Sequence, residues 1–280
     1  MRIDYKKGQT VQPHNHNTTQ QYASSKKVML IFPPDWYPSK PYLSLPTLTA
    51  FLRKAGHHVV QKDVNLEMYD WFFSENCLHL ILEKIPEQLE RLKRVARDRG
   101  VNDEVRELQQ ALRECTPSYI AMLAKKAESA KAVIRSQEFY NVDKLEWAMK
   151  VFQEVMYTIS LVYSPARICM PPMETDLTYK LFISSDVLAA VKDAQVNVYR
   201  DVYNHILKPA IEEEKPDVIG ISIALSQQLF SSMTFCSMIK EQFPDIHITI
   251  GGNTVTRLRD VLPKTSNLFS LFDTAIMYEG

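Results

Sequence analysis

The run Val28-Met29-Leu30-Ile31-Phe32, stopped at once by Pro33-Pro34, constrains this chain more than any other stretch. Five consecutive apolar residues with no polar alternate predict a strand buried on both faces, the situation of a parallel strand with helices above and below. The prolines end it because neither supplies a ladder N–H. From Leu45 to Ala55 the pattern becomes helical, with Leu45, Leu48, Phe51 and Leu52 on one side. Ser44 is placed to cap it, Pro46 is tolerated in the first turn and Gly56 closes it in the left-handed region. His57 to Val64 predicts a second strand. The opening is therefore β-α-β, preceded by a polar tail, 1–26, whose His14 and His16 read as solvated.

The alternation then stops. Residues 68–214 predict a helical insertion or cap: a stripe from Leu78 to Val95 interrupted at Pro86, then stripes over Val105 to Leu112, Tyr119 to Ile134 and Leu145 to Ile159. Their charges are mixed as on a solvated bundle surface. A long irregular loop, Ser164 to Tyr179, precedes a helix from Asp186 to Glu214. The α/β rhythm resumes with a strand at Val218 to Ile223, a helix at Gln227 to Gln242 and a strand at Ile246 to Ile250. A short helix at Val255 to Leu262 and a strand at Thr274 to Tyr278 complete it. Residues 27–67 and 215–280 together supply five strands. Right-handed crossovers make them a doubly wound, Rossmann-like parallel sheet of flavodoxin-like order 2-1-3-4-5.

Composition removes several function classes. Lys+Arg and Asp+Glu are both 33, which gives no electrostatic case for nucleic acid or an anionic membrane surface. No apolar run reaches the roughly 18 residues of a membrane span. Cys77, Cys115, Cys169 and Cys236 are far apart, so a zinc knuckle or local iron-sulfur motif is not expected, and reduced thiols in a cytoplasm are. The first β-α turn lacks the Gly-x-Gly-x-x-Gly of a dinucleotide site, and no P-loop, Gly-x-Ser-x-Gly elbow or His-Glu-x-x-His helix is present. A flavin site would lack a hydroxyl-rich phosphate loop there. Single acids such as Asp35 and Glu279 read as solvated or capping.

Ligands of such sheets bind beyond the carboxyl ends of the strands, at the switch point beside the first strand. Three segments map there: the stiff aromatic loop from Pro33 to Ser44, the small polar loop Ser222 to Gln228, and Gly251-Gly252-Asn253-Thr254. Together they outline a crevice with small residues on its floor and aromatics on one wall. The chain has only seven glycines, and Gly251-Gly252 is the one adjacent pair. The pair fits a tight β-α turn or the close approach of a large ligand.

Several stretches in order, Pro33-Pro34, Tyr42-Leu43-Ser44-Leu45-Pro46, Leu52-Arg53-Lys54-Ala55-Gly56-His57, Lys215 to Ser222, Ile250-Gly251-Gly252, and Asp273 with Tyr278-Glu279-Gly280, carry a resemblance. They look like the N-terminal cobalamin-binding domain of cobalamin-dependent radical SAM enzymes. The similarity covers about a third of the chain and none of the helical segment. The resemblance implies cobalamin as cofactor, held by Pro33, Pro34, Tyr42, Leu43, Ser44, Ser222, Ala224, Leu225, Ser226, Gln227, Gly251, Gly252, Asn253, Thr254, Glu279 and Gly280. The nucleotide tail of the corrinoid needs small residues where it passes, and Ser222, Ala224 and the glycine pair would leave that space. Ser222-Ile223-Ala224 departs from the family's Ser-x-Leu. The first loop has no histidine for cobalt, and His57, His58 and His247 fall at strand beginnings, so base-off binding without a protein ligand is expected. His79 and His205 are the remaining imidazoles of the helical segment.

The resemblance further implies a radical SAM barrel, in cis or in trans, that holds a 4Fe-4S cluster and S-adenosylmethionine and carries out methyl transfer or related radical chemistry. This chain has no Cys-x-x-x-Cys-x-x-Cys run, so by itself it is expected to bind rather than catalyse. The alternative is a Rossmann-like interaction domain without cobalamin that docks a partner through its helical insertion.

Overall fold

The computed structural model describes residues 25–99, 103–170 and 175–278. The predicted tail falls almost wholly outside them, as do Gly100, part of the Ser164 to Tyr179 loop, Glu279 and Gly280. Strand β1 (Lys27–Phe32) is followed by helix α1 (Ser44–Lys54) and β2 (His58–Asp63). The next strand, β3 (Val218–Ser222), leads to α10 (Gln228–Gln242), β4 (His247–Gly251), the short α11 (Asn253–Arg257) and β5 (Thr274–Ala275). Between β2 and β3 lie α2 (Val64–Phe72), α3 (Glu75–Arg99), α4 (Asp103–Glu114), α5 (Pro117–Ile134), α6 (Val142–Tyr163), α7 (Ser184–Lys192), α8 (Tyr199–Val202) and α9 (Lys208–Glu214). The strands form one parallel sheet in the order β2-β1-β3-β4-β5. The order reverses between β1 and β3.

The two faces of the sheet differ. Met29 and Ile31 of β1, Ile219 and Ile221 of β3, and Ile248 and Ile250 of β4 point into a large buried cluster that also takes in Leu78, Leu123, Phe152, Val202 and Phe235 from the helices. The helical segment thus shares a single core with this face. Helix α10 is buried on nearly every side, between the sheet and α7 and α8. The opposite face carries a smaller cluster of Val28, Leu30, Phe32, Val59, Leu45 and Ala224, with Trp36, Tyr42, Leu52 and Val218 against it. Among the described residues, α1 is the one helix that contributes side chains to this second cluster.

Three departures from the sequence reading have local causes. Pro86 does not interrupt α3, which runs through it for 25 residues; Ile81, Ile85 and Leu92, buried on either side of it, hold the helix to the core. The helix expected from Asp186 to Glu214 is broken instead at Asp193 to Val198. There the fully buried Asn197 donates to Ala190 O and Thr234 Oγ1, both at 2.8 Å, and accepts from Tyr199 N. The chain then widens into a π turn at Tyr203–Leu207, since Pro209 has no N–H to offer the carbonyl of His205. Finally, β5 is two residues rather than five, and the helix expected from Val255 to Leu262 ends at Arg257.

Candidate functional site

The carboxyl ends of β1, β3 and β4 bring the three predicted loops together, and the first of them is rigid. Tyr42 stacks on Phe32 with ring centroids 5.1 Å apart, and Trp36 meets both rings edge-on. Trp36 N donates to Asn65 Oδ1 at 2.9 Å, tying the loop to α2. Pro33 and Pro34 are buried, and their carbonyls accept from Gln228 Nε2 (2.6 Å) and Ser231 Oγ. They therefore back the loop from behind, and in the predicted wall Leu43 is exposed while Tyr42 and Ser44 are half-buried. Leu43 is 72% exposed.

Gln228 also fixes the second loop. Its Oε1 accepts from Ala224 N at 2.8 Å and Leu225 N at 3.0 Å, while its Nε2 holds Pro33 O. One fully buried amide thus joins the loops on both sides of the switch point. Leu225, Ser226 and Gln227 are half-buried, whereas Ser222 and Ala224 are buried. The site residues expected in this loop include Gln227 and not Gln228. The neighbouring glutamine is the one that does the joining.

The glycine pair divides. Gly252 has φ +100° and ψ 179°, a conformation open to glycine, and an added Cβ would lie 2.6 Å from Ile223 O. Ile223 N donates to Gly251 O (2.8 Å) and Thr254 N to Ile223 O (3.1 Å). The space left by the missing side chain of Gly252 is filled by the backbone of the β3 loop. The expectation that it leaves room in a channel is corrected: Gly252 serves loop-to-loop packing. Gly251 has ordinary geometry, and a Cβ there would meet Ile276 at 3.5–3.6 Å. Thr254 is buried and Asn253 exposed, so Asn253 is the part of this loop that faces outward.

A strip of small residues lies lower, on the face bearing the smaller cluster. Register places Gln61, Leu30, Gly220, Thr249 and Thr274 in one row across all five strands, with Ser222 beside Gly251 in the row above. Over β1 and β2 this face is apolar and covered by α1. Over β3 to β5 it is floored by Gly220, Ser222, Thr249 and Gly251, and Thr274 and Ile276 at its edge are exposed. Arg53 Nη2 donates to Val59 O at 2.9 Å, which turns that flank of α1 toward β2. Helical spacing then sets Ser44, Leu48 and Phe51 on the flank toward β3, with Leu48 39% and Phe51 71% exposed. Ser44 is the first residue of the helix, not its cap, because Leu43 takes that position. Ser44 Oγ, Thr49 Oγ1 and Thr249 Oγ1 are buried without a hydrogen-bond partner. The floor residue Thr249 was missed in the sequence, although the alternation Ile248-Thr249-Ile250 separates it from its neighbours' face.

Behind the first loop, on the side of the large core, lies a polar cluster. Asp35 is buried and accepts from Tyr199 Oη at 2.6 Å, so it is not the solvated acid expected. Burial, with the Asp35 charge second, pushes the Tyr199 phenol far up. Burial also raises Tyr69, whose hydroxyl has no hydrogen-bond partner. Among the described residues, no group of three or more His, Cys, Asp or Glu side chains is arranged to hold a metal ion. His58 and His247 begin their strands and lie at the amino edge, away from the crevice, while His205 stacks on Trp71 with centroids 5.1 Å apart. No described helix is long and apolar enough to cross a membrane. No family model, characterised protein or solved structure matches this chain.

Proposed function

We propose that this chain is a corrinoid-binding module whose ligand lies along the sheet face beside α1 and reaches past the carboxyl ends of β3 and β4. The observation that carries the reading is the sheet face over β3 to β5, floored by Gly220, Ser222, Thr249 and Gly251 at the switch point of a 2-1-3-4-5 sheet. The unpartnered hydroxyls of Ser44 and Thr249 suit the amide arms and phosphate of such a ligand. Leu43, Leu48 and Phe51 would cover the corrin's apolar edge. Tyr42, Leu225, Ser226, Gln227 and Asn253 form the rim on this reading. When bound, cobalamin would supply alkyl-cobalt chemistry to a radical SAM barrel with its cluster and S-adenosylmethionine, and residues 68–214 would be an insertion between the second and third strands. Glu279 and Gly280 remain part of the proposal from sequence alone.

The test is retention of hydroxocobalamin through desalting, read by the visible absorbance of the eluted protein. Stoichiometric retention with a base-off spectrum is expected, together with its loss in Thr249→Trp, whose half-buried position on the face away from the large core leaves that core untouched. A folded wild-type protein that elutes colourless would overturn the reading. A second reading keeps the interaction domain but moves its docking surface from the helical segment expected in the sequence to α1, where Leu43 (72%) and Phe51 (71%) are exposed. It predicts no pigment, and a Phe51→Asp variant with unchanged stability and lost partner binding.

A further inference from the structure

Away from the sheet, α5 and α6 border a shallow, open surface groove of about 570 Å³ lined by Ser118, Ala121, Met122, Lys125, Lys126, Ser129 and Trp147. The volume lies in the range of small-molecule sites, about 300–1,000 Å³. Ser118, Ala121, Met122, Lys125 and Ser129 follow one another at helical spacing and form one face of α5, about 16 Å long from Ser118 to Ser129. A solvated helix face normally carries charge along its length. Here the long apolar side chains, Met122 at 43% and Trp147 at 40% exposure, stand open beside a lysine. Lys126 reaches Glu154 at 3.7 Å, whereas Lys125 makes no ion pair among the described residues.

From these features we infer a second binding site, independent of the sheet, that takes a small flat aromatic anion. The indole of Trp147 and the thioether of Met122 offer a ring two apolar surfaces. Ala121 keeps the floor low, so that the ring can lie against the α5 backbone. Lys125 supplies the one uncompensated charge for a carboxylate or phosphate; the Ser129 hydroxyl donates to Lys125 O at 3.0 Å and the Ser118 hydroxyl is paired with Thr116 Oγ1 at 3.0 Å, so the lysine carries the anion. Charge selects this ligand over a neutral or cationic one, since Lys126 is paired with Glu154 and the unpaired Lys125 stands beside Met122 and Trp147.

Calorimetric titration with 1-naphthyl phosphate, 1-naphthol and inorganic phosphate tests the inference on the full chain. The phosphate ester is expected to bind saturably with one site per chain, and inorganic phosphate not to compete. Lys125→Glu should weaken the ester by about tenfold and leave 1-naphthol nearly unchanged. Trp147→Ala should weaken both. Both positions are solvent-exposed, and unchanged thermal melts would show that folding is intact. Absence of saturable ester binding, or an ester affinity indifferent to Lys125→Glu, would overturn it.

Discussion

Gly252 and Gly251 are adjacent and chemically identical, yet they answer to different forces. At Gly252 a side chain would need both a backbone conformation that L-residues avoid and space already taken by Ile223 O at 2.6 Å. Gly252→Ala should therefore destabilise the fold by at least about 2 kcal/mol, the strain of a glycine-only conformation plus a backbone shift in the β3 loop. Gly251→Ala meets Ile276 at contact distance and should cost under about 1 kcal/mol. Urea unfolding of both variants checks the pair, and equal midpoints would refute the assignment. Tyr69 is the opposite kind of residue, a buried hydroxyl with nothing to bond. Its burial carries a desolvation penalty without return, so Tyr69→Phe should stabilise the protein by about 1 kcal/mol. A lower unfolding midpoint would mean that the hydroxyl is satisfied in solution.

At the scale of elements, the switch point is held by α10 as much as by the strands. Gln228, in its first turn, satisfies two N–H groups of the β3 loop and one carbonyl of the β1 loop. Gln228→Leu would leave two buried backbone groups and one half-buried one unmet, a loss of about 2–3 kcal/mol or more. Amide exchange should quicken first at Ala224 and Leu225; protection there equal to wild type would remove Gln228 from this role. The strands themselves were legible in the sequence, because Val28 to Phe32 and Val218 to Ile223 are apolar runs whose burial needs no distant information. The order 2-1-3-4-5 followed from the crossover rule, and Gly56 was identifiable as a left-handed cap, with φ +89°. What remained hidden depends on tertiary partners. Pro86 stays helical because Ile81, Ile85 and Leu92 are buried around it, Asn197 breaks a helix by reaching Thr234 of α10, and Gly252 packs on a loop some thirty residues earlier. In the crevice, Tyr42, Ser44 and Ser222 could be placed from strand ends, whereas the Gly220 and Thr249 floor emerged only from register.

Across the whole molecule, the continuous core makes alkaline pH the condition to which stability is most exposed. Burial raises the Cys236 thiol to about 12 and raises Cys77 further, in each case with desolvation as the largest cause. Both thiols titrate near 8.5 in the unfolded chain. Their raised folded values mean that the stabilisation they contribute is complete below that pH and is lost as pH rises toward the folded values. Above roughly pH 9 the unfolded state binds fewer protons than the native state, and each thiol then lowers the unfolding free energy by about 1.4 kcal/mol per pH unit. Together they should make the protein roughly 4 kcal/mol less stable at pH 10 than at pH 8 under reducing conditions. Tyr69, Tyr163 and Tyr199, all raised by burial first, steepen the loss above about pH 10. Cys236→Ala carries its own packing loss at every pH, so the informative quantity is its slope. Urea unfolding of wild type and Cys236→Ala at pH 8, 9 and 10 should give the variant a shallower slope than wild type, and parallel profiles would show that the Cys236 thiol titrates alike in the folded and unfolded chain.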